Sequence, residues 1–425
     1  MPPPSAAIIP FGAPWGRGLD EHRRKALLYW ILTLACIAAW TIRTPPGWDL
    51  AIYQKAIHSF ELGHDPYQDE VAATGEYARN MGAEYGGGVS LYYVYSPVTL
   101  HIGAWARRLP MARLFYWLFY AAALITIVRV ASLAITRADS RYIALLPPAS
   151  LLFPGLLNSG TLLSGNVAII LYGLVFAAAA LGWRRNRWLP FYAAVLICSL
   201  FKMPMLTLLA IPVFSARRQW IPAVGTAAVA LAVFGAQSMA FPTLFRHQIQ
   251  AVDHLFSFNR DVGCSPAGLF AGFLFDHHLP YFPLAPLAFL AYAVPVLILL
   301  YRFSQRFLAG ELPFSEWMPI LLVGTALLNP RLLEYDVLPI TIPLGLIALR
   351  FAQRSTLARR LALPLCAVWI VANAVLSKLP IFLHTLLWKR AESLLLCVIF
   401  IAGALLLRRR ATPQDELVEV SPINA

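Results

Sequence analysis

The sequence predicts an all-α polytopic membrane protein. Hydrophobic residues make up 59% of the 425 residues, and the mean hydropathy is +0.64. Only 13% of the residues are charged, well below the roughly 25% typical of soluble domains. Apolar stretches that approach the ~20 residues needed to cross a bilayer recur along the chain. These observations exclude an ordinary soluble globular protein.

We expect about twelve transmembrane helices within one integral membrane domain, 1–425. Several are shorter than a standard span, and the 32 prolines predict tilted, broken or half-inserted helices. We see no internal repeat and no separate soluble domain. The predicted spans are 26–42, 91–108, 113–135, 142–157, 166–182, 189–214, 219–240, 281–302, 317–329, 337–351, 361–378 and 391–407.

The first span, 26–42, follows a basic segment, as the apolar core of a signal peptide would. However, it ends in Trp40–Arg43 without a suitable cleavage site. We therefore predict an uncleaved first helix with a cytoplasmic N-terminus.

The next segment, 43–90, is acidic and aromatic in an otherwise basic chain of net charge +13. Apolar side chains recur at helical spacing from Leu50 to Phe60, which predicts an amphipathic helix on the membrane surface. The Gly63–Pro66 stretch ends it. Seven of the 21 carboxylates lie in this segment: Asp49, Glu61, Asp65, Asp69, Glu70, Glu76 and Glu84.

Basic loops predict the orientation of the remaining spans, 91–407, because Lys and Arg concentrate on the cytoplasmic side. Counting spans places all of these loops inside except 184–187, which comes out external. Either 189–214 is two short helices that meet near Lys202–Pro204, or a span in 113–182 is re-entrant. We expect a cytoplasmic tail at 411–425. The basic loops predicted inside are 107–113, 217–218, 302–306, 354–360 and 408–410, and the predicted external segments are 43–90, 158–165, 241–280, 329–336 and 378–390.

Asp49 is the main candidate for chemistry, because it heads the amphipathic helix. One interpretation is a helix N-cap, a role that Asp favours. The other is a general base, since a carboxylate whose pKa is raised by partial burial can take a proton from an attacking hydroxyl. The two roles are compatible.

Other candidates have structural and functional interpretations. Tyr67 follows an Asp-Pro turn and could stack on a sugar or pack against the Asp49 helix. Tyr95 could belong to an aromatic belt or line a cavity. In Ser164-Gly165-Asn166, Asn166 could cap a helix or help bind a ligand phosphate.

Lys202 lies within an apolar stretch, where an ionisable residue is either functional, snorkelling or paired with a helix-end carbonyl. The 329–336 segment holds Arg331, Glu334 and Tyr335. Arg331 could pair with Glu334 or Asp336 on the surface, or it could bind a lipid phosphate. Arg260 is a further candidate for that phosphate.

No metal site is predicted, because the histidines and the five cysteines lack ligand spacing. No nucleotide-binding loop appears in a suitable context, and no soluble basic segment suggests nucleic acid. We therefore predict no cofactor.

Five segments in this order resemble glycosyltransferase family 87, the polyprenyl-phosphate-mannose-dependent mannosyltransferase-like proteins of C-type glycosyltransferase architecture. They cover roughly 30–345. They are Trp48-Asp49-Leu-Ala-Ile-Tyr53 with Gly63-His-Asp-Pro-Tyr67; Tyr93-Val-Tyr95-Ser-Pro97; Ser164-Gly165-Asn166; Lys202-Met-Pro204; and Asn329-Pro330 through Glu334-Tyr335 to Pro339.

The resemblance implies a multi-pass protein of the bacterial inner membrane with an extracytoplasmic active site and Asp49 as general base. It implies inverting, metal-independent transfer of a sugar, usually mannose, from a polyprenyl-phosphate donor to a glycan or glycolipid hydroxyl. The family often has His where this chain has Glu334, so the donor contact could differ, with His247 or His254 as substitutes.

Two other functions remain open on sequence grounds. Broken helices and a buried Lys also suit a carrier or flippase for a lipid-linked sugar, although such carriers commonly contain internal repeats. A non-catalytic assembly scaffold is the third hypothesis.

Overall fold

The computed structural model describes residues 47–68, 71–72, 90–91, 93–136, 139, 161–257, 263–354 and 387–408. The regular structure in these residues is helical, apart from two antiparallel two-residue strands, β1 (Val71–Ala72) and β2 (Ser90–Leu91). The all-α prediction is confirmed for this part of the chain. The predicted first span and C-terminal tail lie outside it.

The helices range from one turn to seven turns in length, and short 3₁₀ turns extend several of them. In chain order they are α1 (Trp48–Glu61), α2 (Pro97–Arg107), α3 (Ala112–Ala131), α4 (Val167–Arg185), α5 (Leu189–Phe201), α6 (Ala210–Ser215), α7 (Trp220–Ala240), α8 (Pro242–Ser257), α9 (Pro266–Asp276), α10 (Leu284–Leu308), α11 (Phe314–Leu327), α12 (Glu334–Val337), α13 (Thr341–Arg354) and α14 (Leu387–Arg408).

Among the described residues, four helices are long and apolar enough to cross a membrane: α3 with its following turn, α4, α7 and α10. Large apolar side chains such as Phe119, Leu231 and Leu297 are exposed on their outer faces, as expected for surfaces that meet lipid. The helices indicate a membrane protein. The total of about twelve spans stays a prediction, because other predicted spans are shorter helices or lie outside the described ranges.

Helices α3 and α4 pack side by side and run in the same direction. Near their starts, the Tyr116 hydroxyl donates to the Gly165 carbonyl at 2.6 Å. About two turns further along, a Cβ on Gly173 would lie 2.4 Å from that of Ala123. Both helices therefore begin at one end of the bundle and finish at the other, where α4 ends at Arg185.

The stretch 189–215 is a helical hairpin and not one continuous span. After α5 the backbone leaves the helix at Lys202 (φ −143°), and a 3₁₀ turn and α6 lead back towards the starting end. The hairpin ends beside the end of α4, because Nε1 of Trp183 in α4 donates to Ser215 Oγ at 3.0 Å. This confirms the first of the two alternatives for the segment.

The predicted span at 91–108 is wrong. The helix there, α2, has 11 residues and is ~16 Å long, too short to cross a bilayer. It lies along α1, and the Arg107 guanidinium pairs with Glu61 at 2.9 Å. The Tyr116 contact places the start of α3 at the same end as α1. The loop 107–113 therefore lies at the Asp49 end of the bundle.

These two differences explain why counting the predicted spans placed the basic loop 184–187 outside. Without a crossing at 91–108, the loop 184–187 moves to the cytoplasmic side of the count. The hairpin does not cross either, so the loop 217–218 stays on the side that was predicted. The loops 184–187 and 217–218 consequently share one end, which also carries Arg350. We call this the basic end and the opposite end the Asp49 end.

At the basic end, Arg350 of α13 holds Asp139, which is 1% exposed. Arg350 Nη2 lies 2.6 Å from Asp139 Oδ2 and 2.7 Å from the Ala134 carbonyl, which it also binds. Thr136 donates to the same carboxylate through its backbone and side chain, each at 2.8 Å. Burial raises the pKa of Asp139, but the bonds from Arg350 and Thr136 outweigh it and hold that pKa below its ordinary value.

We expect Asp139→Asn to destabilise the protein by about 3 kcal/mol, because Arg350 would keep its charge without a carboxylate partner. Because the folded-state pKa is depressed, this stability is present above the unfolded value of about 4 and is lost as pH falls through the folded pKa. Thermal unfolding in neutral detergent from pH 7 to pH 3 measures both effects. If the stability of Asp139→Asn fell as steeply between pH 7 and pH 3 as that of the unsubstituted protein, Asp139 would not be the source of this pH dependence.

Candidate functional site

Asp49 lies in the first turn of α1, and only 7% of its surface is exposed. The N-cap position belongs to Gly47, which has a left-handed φ of 77° and no side chain to offer. The N-cap interpretation of Asp49 is therefore wrong by two positions. A carboxylate in the first turn is still favoured by the helix dipole, so Asp49 suits this place electrostatically.

Asn166 joins Asp49 to the start of α4. Its Nδ2 donates to Asp49 Oδ2 at 2.9 Å, while its Oδ1 accepts from the Ala168 backbone N–H at 2.9 Å. The helix-cap interpretation of Asn166 is thus confirmed. The side-chain amide of Asn166 therefore caps α4 through its oxygen and orients the Asp49 carboxylate through its nitrogen.

The backbone before Asn166 binds the start of α1 directly. Gly47 N–H donates to the Leu163 carbonyl at 2.7 Å, and Asp49 N–H donates to the Ser164 carbonyl at 3.0 Å. The two segments approach so closely that a Cβ on Gly165 would lie 3.1 Å from the Leu50 Cβ. Gly165 also has a φ of 72°, which disfavours any other residue there.

Four tyrosines cluster beside α1. The hydroxyls of Tyr53 and Tyr95 lie 2.9 Å apart, and the Tyr67 hydroxyl donates to the Tyr95 carbonyl at 2.6 Å. Tyr93 packs edge-on against Tyr53 and Tyr95. Tyr67 is only 3% exposed and belongs to the small core around Ala56 of α1, so its observed role is packing.

The pKa of Tyr95 is affected by charges of opposite sign. Burial raises its pKa, the negative charge of Asp49 raises it further, and the positive charge of Arg331 lowers it. Burial and the charge of Asp49 likewise raise the pKa of Tyr53. Asp49 and Arg331 therefore lie within electrostatic range of the same tyrosine hydroxyl, although 282 positions separate them in the chain.

Lys202 stands at the tip of the hairpin and binds a carboxylate. Its Nζ lies 2.6 Å and 2.7 Å from the two oxygens of Asp336, whose side chain is fully buried. The Leu333 N–H also donates to Asp336, at 2.9 Å. The predicted alternatives for Lys202 were a functional role, snorkelling or a carbonyl partner, and none of them was this pair. Asp336 is buried and therefore is not a surface partner of Arg331.

The 329–336 segment reaches Asp49 through α12. This short helix contacts α4 and the turn that precedes Asn166. Tyr335 lies with its ring 6.5 Å from that of Trp48, the neighbour of Asp49. Glu334 is buried, with 9% of its surface exposed, and Arg331 is half-buried.

The start of α9 holds this segment in place. Cys264 N–H donates to the Leu332 carbonyl at 2.6 Å, and Ser265 Oγ donates to the Pro330 carbonyl at 2.6 Å. Ser265 also caps α9 by accepting from Gly268 N–H. Arg331 thus lies in a loop that is bound on both sides, and not on a free surface segment.

Of the other predicted contributors, His247 is not part of this cluster. Arg260 lies outside the described residues. His247, on α8, bonds through Nδ1 to the Asp65 carboxylate and lies 3.2 Å from Gln68 through Nε2. Within the ranges that the structure describes, no group of three or more His, Cys, Asp or Glu residues is placed to hold a metal ion.

The sequence did not single out several residues that build the site. Asp336 was missed as the partner of Lys202, and Trp117 was missed beside the two close glycines. A buried lysine requires a carboxylate, which could have prompted a search, but the sequence contains no sign of which one. The pair spans 134 positions.

A scan of protein-family models finds no match to this chain. A search of the curated proteins likewise finds none.

We expect Gly165→Ala to destabilise the site, because it adds a positive-φ strain of ~1–2 kcal/mol and an overlap with Leu50 and Trp117 of about 1–3 kcal/mol. Gly63→Ala is the matched control, since Gly63 has a φ of 82° and no atom within 4 Å of its added Cβ. Thermal unfolding in detergent compares them. Equal losses in the two variants would show that α1 and the 161–166 turn are not tightly packed.

We expect Lys202→Met to destabilise the protein by about 3–5 kcal/mol, because it leaves the Asp336 carboxylate buried without its cation. The double variant Lys202→Met/Asp336→Asn should recover much of this loss. Unfolding measurements on both single variants and the double variant complete the cycle. Strictly additive losses would contradict a direct ion pair.

Proposed function

We propose that this protein is a membrane glycosyltransferase that moves a sugar, most simply mannose, from a polyprenyl-phosphate donor to a hydroxyl group on a glycan or glycolipid. The observation that carries the proposal is the buried Asp49 carboxylate, oriented by Asn166 at the end of the bundle opposite the basic end. The resemblance of five ordered segments to glycosyltransferase family 87 supplies the reaction class.

We further propose that the Asp49 end faces the extracytoplasmic side of the bacterial inner membrane. More exposed arginines lie at the other end, five on the loops 184–187 and 217–218 against three on the loop 107–113. Short loops rich in Lys and Arg concentrate in the cytoplasm. In this orientation, α1 and α2 lie on the outer surface, where a lipid-borne sugar phosphate reaches Asp49 laterally.

In the proposed reaction, Asp49 accepts the proton of the acceptor hydroxyl as its oxygen attacks the anomeric carbon. The bond between that carbon and the donor phosphate oxygen breaks, and its electron pair leaves with the polyprenyl phosphate. Attack from the face opposite the phosphate inverts the configuration. The phosphate is a good leaving group, so the chain needs mainly to position two substrates and stabilise negative charge.

Arg331 is the best candidate to bind the donor phosphate. Its guanidinium matches phosphate geometry, and its charge acts on the same tyrosine as the charge of Asp49. Lys202 is less suited to direct contact, because Asp336 already neutralises it at 2.6 Å. The Lys202–Asp336 pair instead supports the segment that carries Arg331, Glu334 and Tyr335. Arg260 stays a candidate as a second phosphate ligand.

A carrier of lipid-linked sugars is the second candidate, favoured by the hairpin that breaks at Lys202. Discontinuous helices commonly form substrate sites in transporters. A carrier would move the lipid-linked sugar across the membrane without breaking the sugar–phosphate bond, so release of polyprenyl phosphate separates the two functions.

We expect Asp49→Asn to reduce sugar transfer by ~100-fold or more, the usual contribution of a general base. The assay measures transfer from polyprenyl-phosphate mannose in membranes that contain the full chain. Glu61→Gln is the matched control, because Glu61 belongs to the same helix and pairs with Arg107 at the surface. It should retain near-normal transfer.

The amount of folded protein is measured by thermal unfolding in both variants. If Asp49→Asn is unstable, Asp49→Glu offers a second test, since it keeps the base but displaces it and should lower transfer with little loss of folded protein. Transfer by folded Asp49→Asn that matches the Glu61→Gln control would exclude Asp49 as the base.

A further inference from the structure

The hairpin 189–215 gathers arginines from two distant turns onto one surface of the basic end. The hydrogen bond between Trp183 and Ser215 joins the turns, and the Tyr192 hydroxyl adds a second link by donating to the Gln219 carbonyl at 3.1 Å. The arginines on these turns, all exposed, are Arg184, Arg185, Arg187, Arg217 and Arg218.

Few carboxylates oppose these charges. The sequence contains no Asp or Glu between Asp139 and Asp253. The acidic side chains that α11 and the turn before it bring to this end are Glu311 and Glu316, and Glu311 pairs with Arg306 at 3.5 Å. Even with both counted, five guanidinium groups face two carboxylates among the residues described for these turns, so this part of the surface has a net positive charge.

Large apolar side chains surround the arginines. The exposed fractions are 79% for Leu189, 60% for Trp220 and 58% for Ile221. These residues lie at the ends of α5 and α7 nearest the arginine turns. Guanidinium groups beside exposed apolar side chains, at the ends of membrane helices, match the boundary between lipid headgroups and acyl chains. A nucleic acid or an acidic soluble protein would leave the apolar side chains without partners.

We propose that this surface binds an anionic phospholipid that carries two phosphates, such as diphosphatidylglycerol. The arginines form two adjacent pairs, 184–185 and 217–218, one on each turn. Each pair can hold one phosphate through bidentate guanidinium hydrogen bonds. The acyl chains then cover Leu189, Trp220 and Ile221. This site is separate from the Asp49 end and does not depend on the proposed transferase reaction.

The test measures binding of diphosphatidylglycerol to the full chain in neutral detergent by native mass spectrometry. Arg184→Gln/Arg217→Gln removes one guanidinium from each turn, and the dissociation constant should rise about 25-fold, roughly fivefold for each arginine. Arg184→Lys/Arg217→Lys keeps the charges but loses the bidentate geometry, so a smaller increase is expected.

Arg108→Gln/Arg113→Gln is the matched control, since both arginines are exposed at the Asp49 end. This control should change the dissociation constant less than twofold. Equal weakening in the two glutamine variants would overturn the proposed site. Equally tight binding of phosphatidylglycerol, which has one phosphate, would overturn the two-phosphate assignment.

Discussion

The amide of Asn166 connects two parts of the molecule that are 117 residues apart in the chain. Its oxygen caps α4, and its nitrogen donates a hydrogen bond to the carboxylate of Asp49. The cap satisfies a backbone donor that the helix itself cannot, so Asn166 is needed even without a substrate. The orientation of Asp49 therefore depends on a bond that also stabilises the bundle.

Three buried carboxylates, those of Asp49, Asp139 and Asp336, each have a cationic or hydrogen-bonding partner. Asp336 binds Lys202 at the hairpin tip, and Asp139 binds Arg350 near the other end. Both pairs join segments far apart in sequence. An unpaired charge at such depth costs several kcal/mol, so each pair restricts how the segments that carry it can be arranged.

The two ends of the bundle differ in chemical character. One end gathers tyrosines, the Asp49 carboxylate and the bound loop around Arg331. The other gathers exposed arginines beside apolar side chains. A membrane favours this difference, since short loops rich in Lys and Arg concentrate on its cytoplasmic side. The proposed transferase site and the proposed lipid site accordingly lie at opposite ends.

The sequence by itself determined that the protein is helical and belongs in a membrane, because hydropathy and helical spacing are local properties. It also gave a helix cap at Asn166 and a break near Lys202 as one of two alternatives each, since Asn and Pro act within one turn of the chain. Only the tertiary structure decided that 91–108 does not cross the membrane. The helix in this segment, α2, is too short to span a bilayer and lies along α1, although its residues are apolar. The same holds for the partner of Lys202. Asp336 comes from a distant segment, and contacts between distant segments depend on how the helices pack.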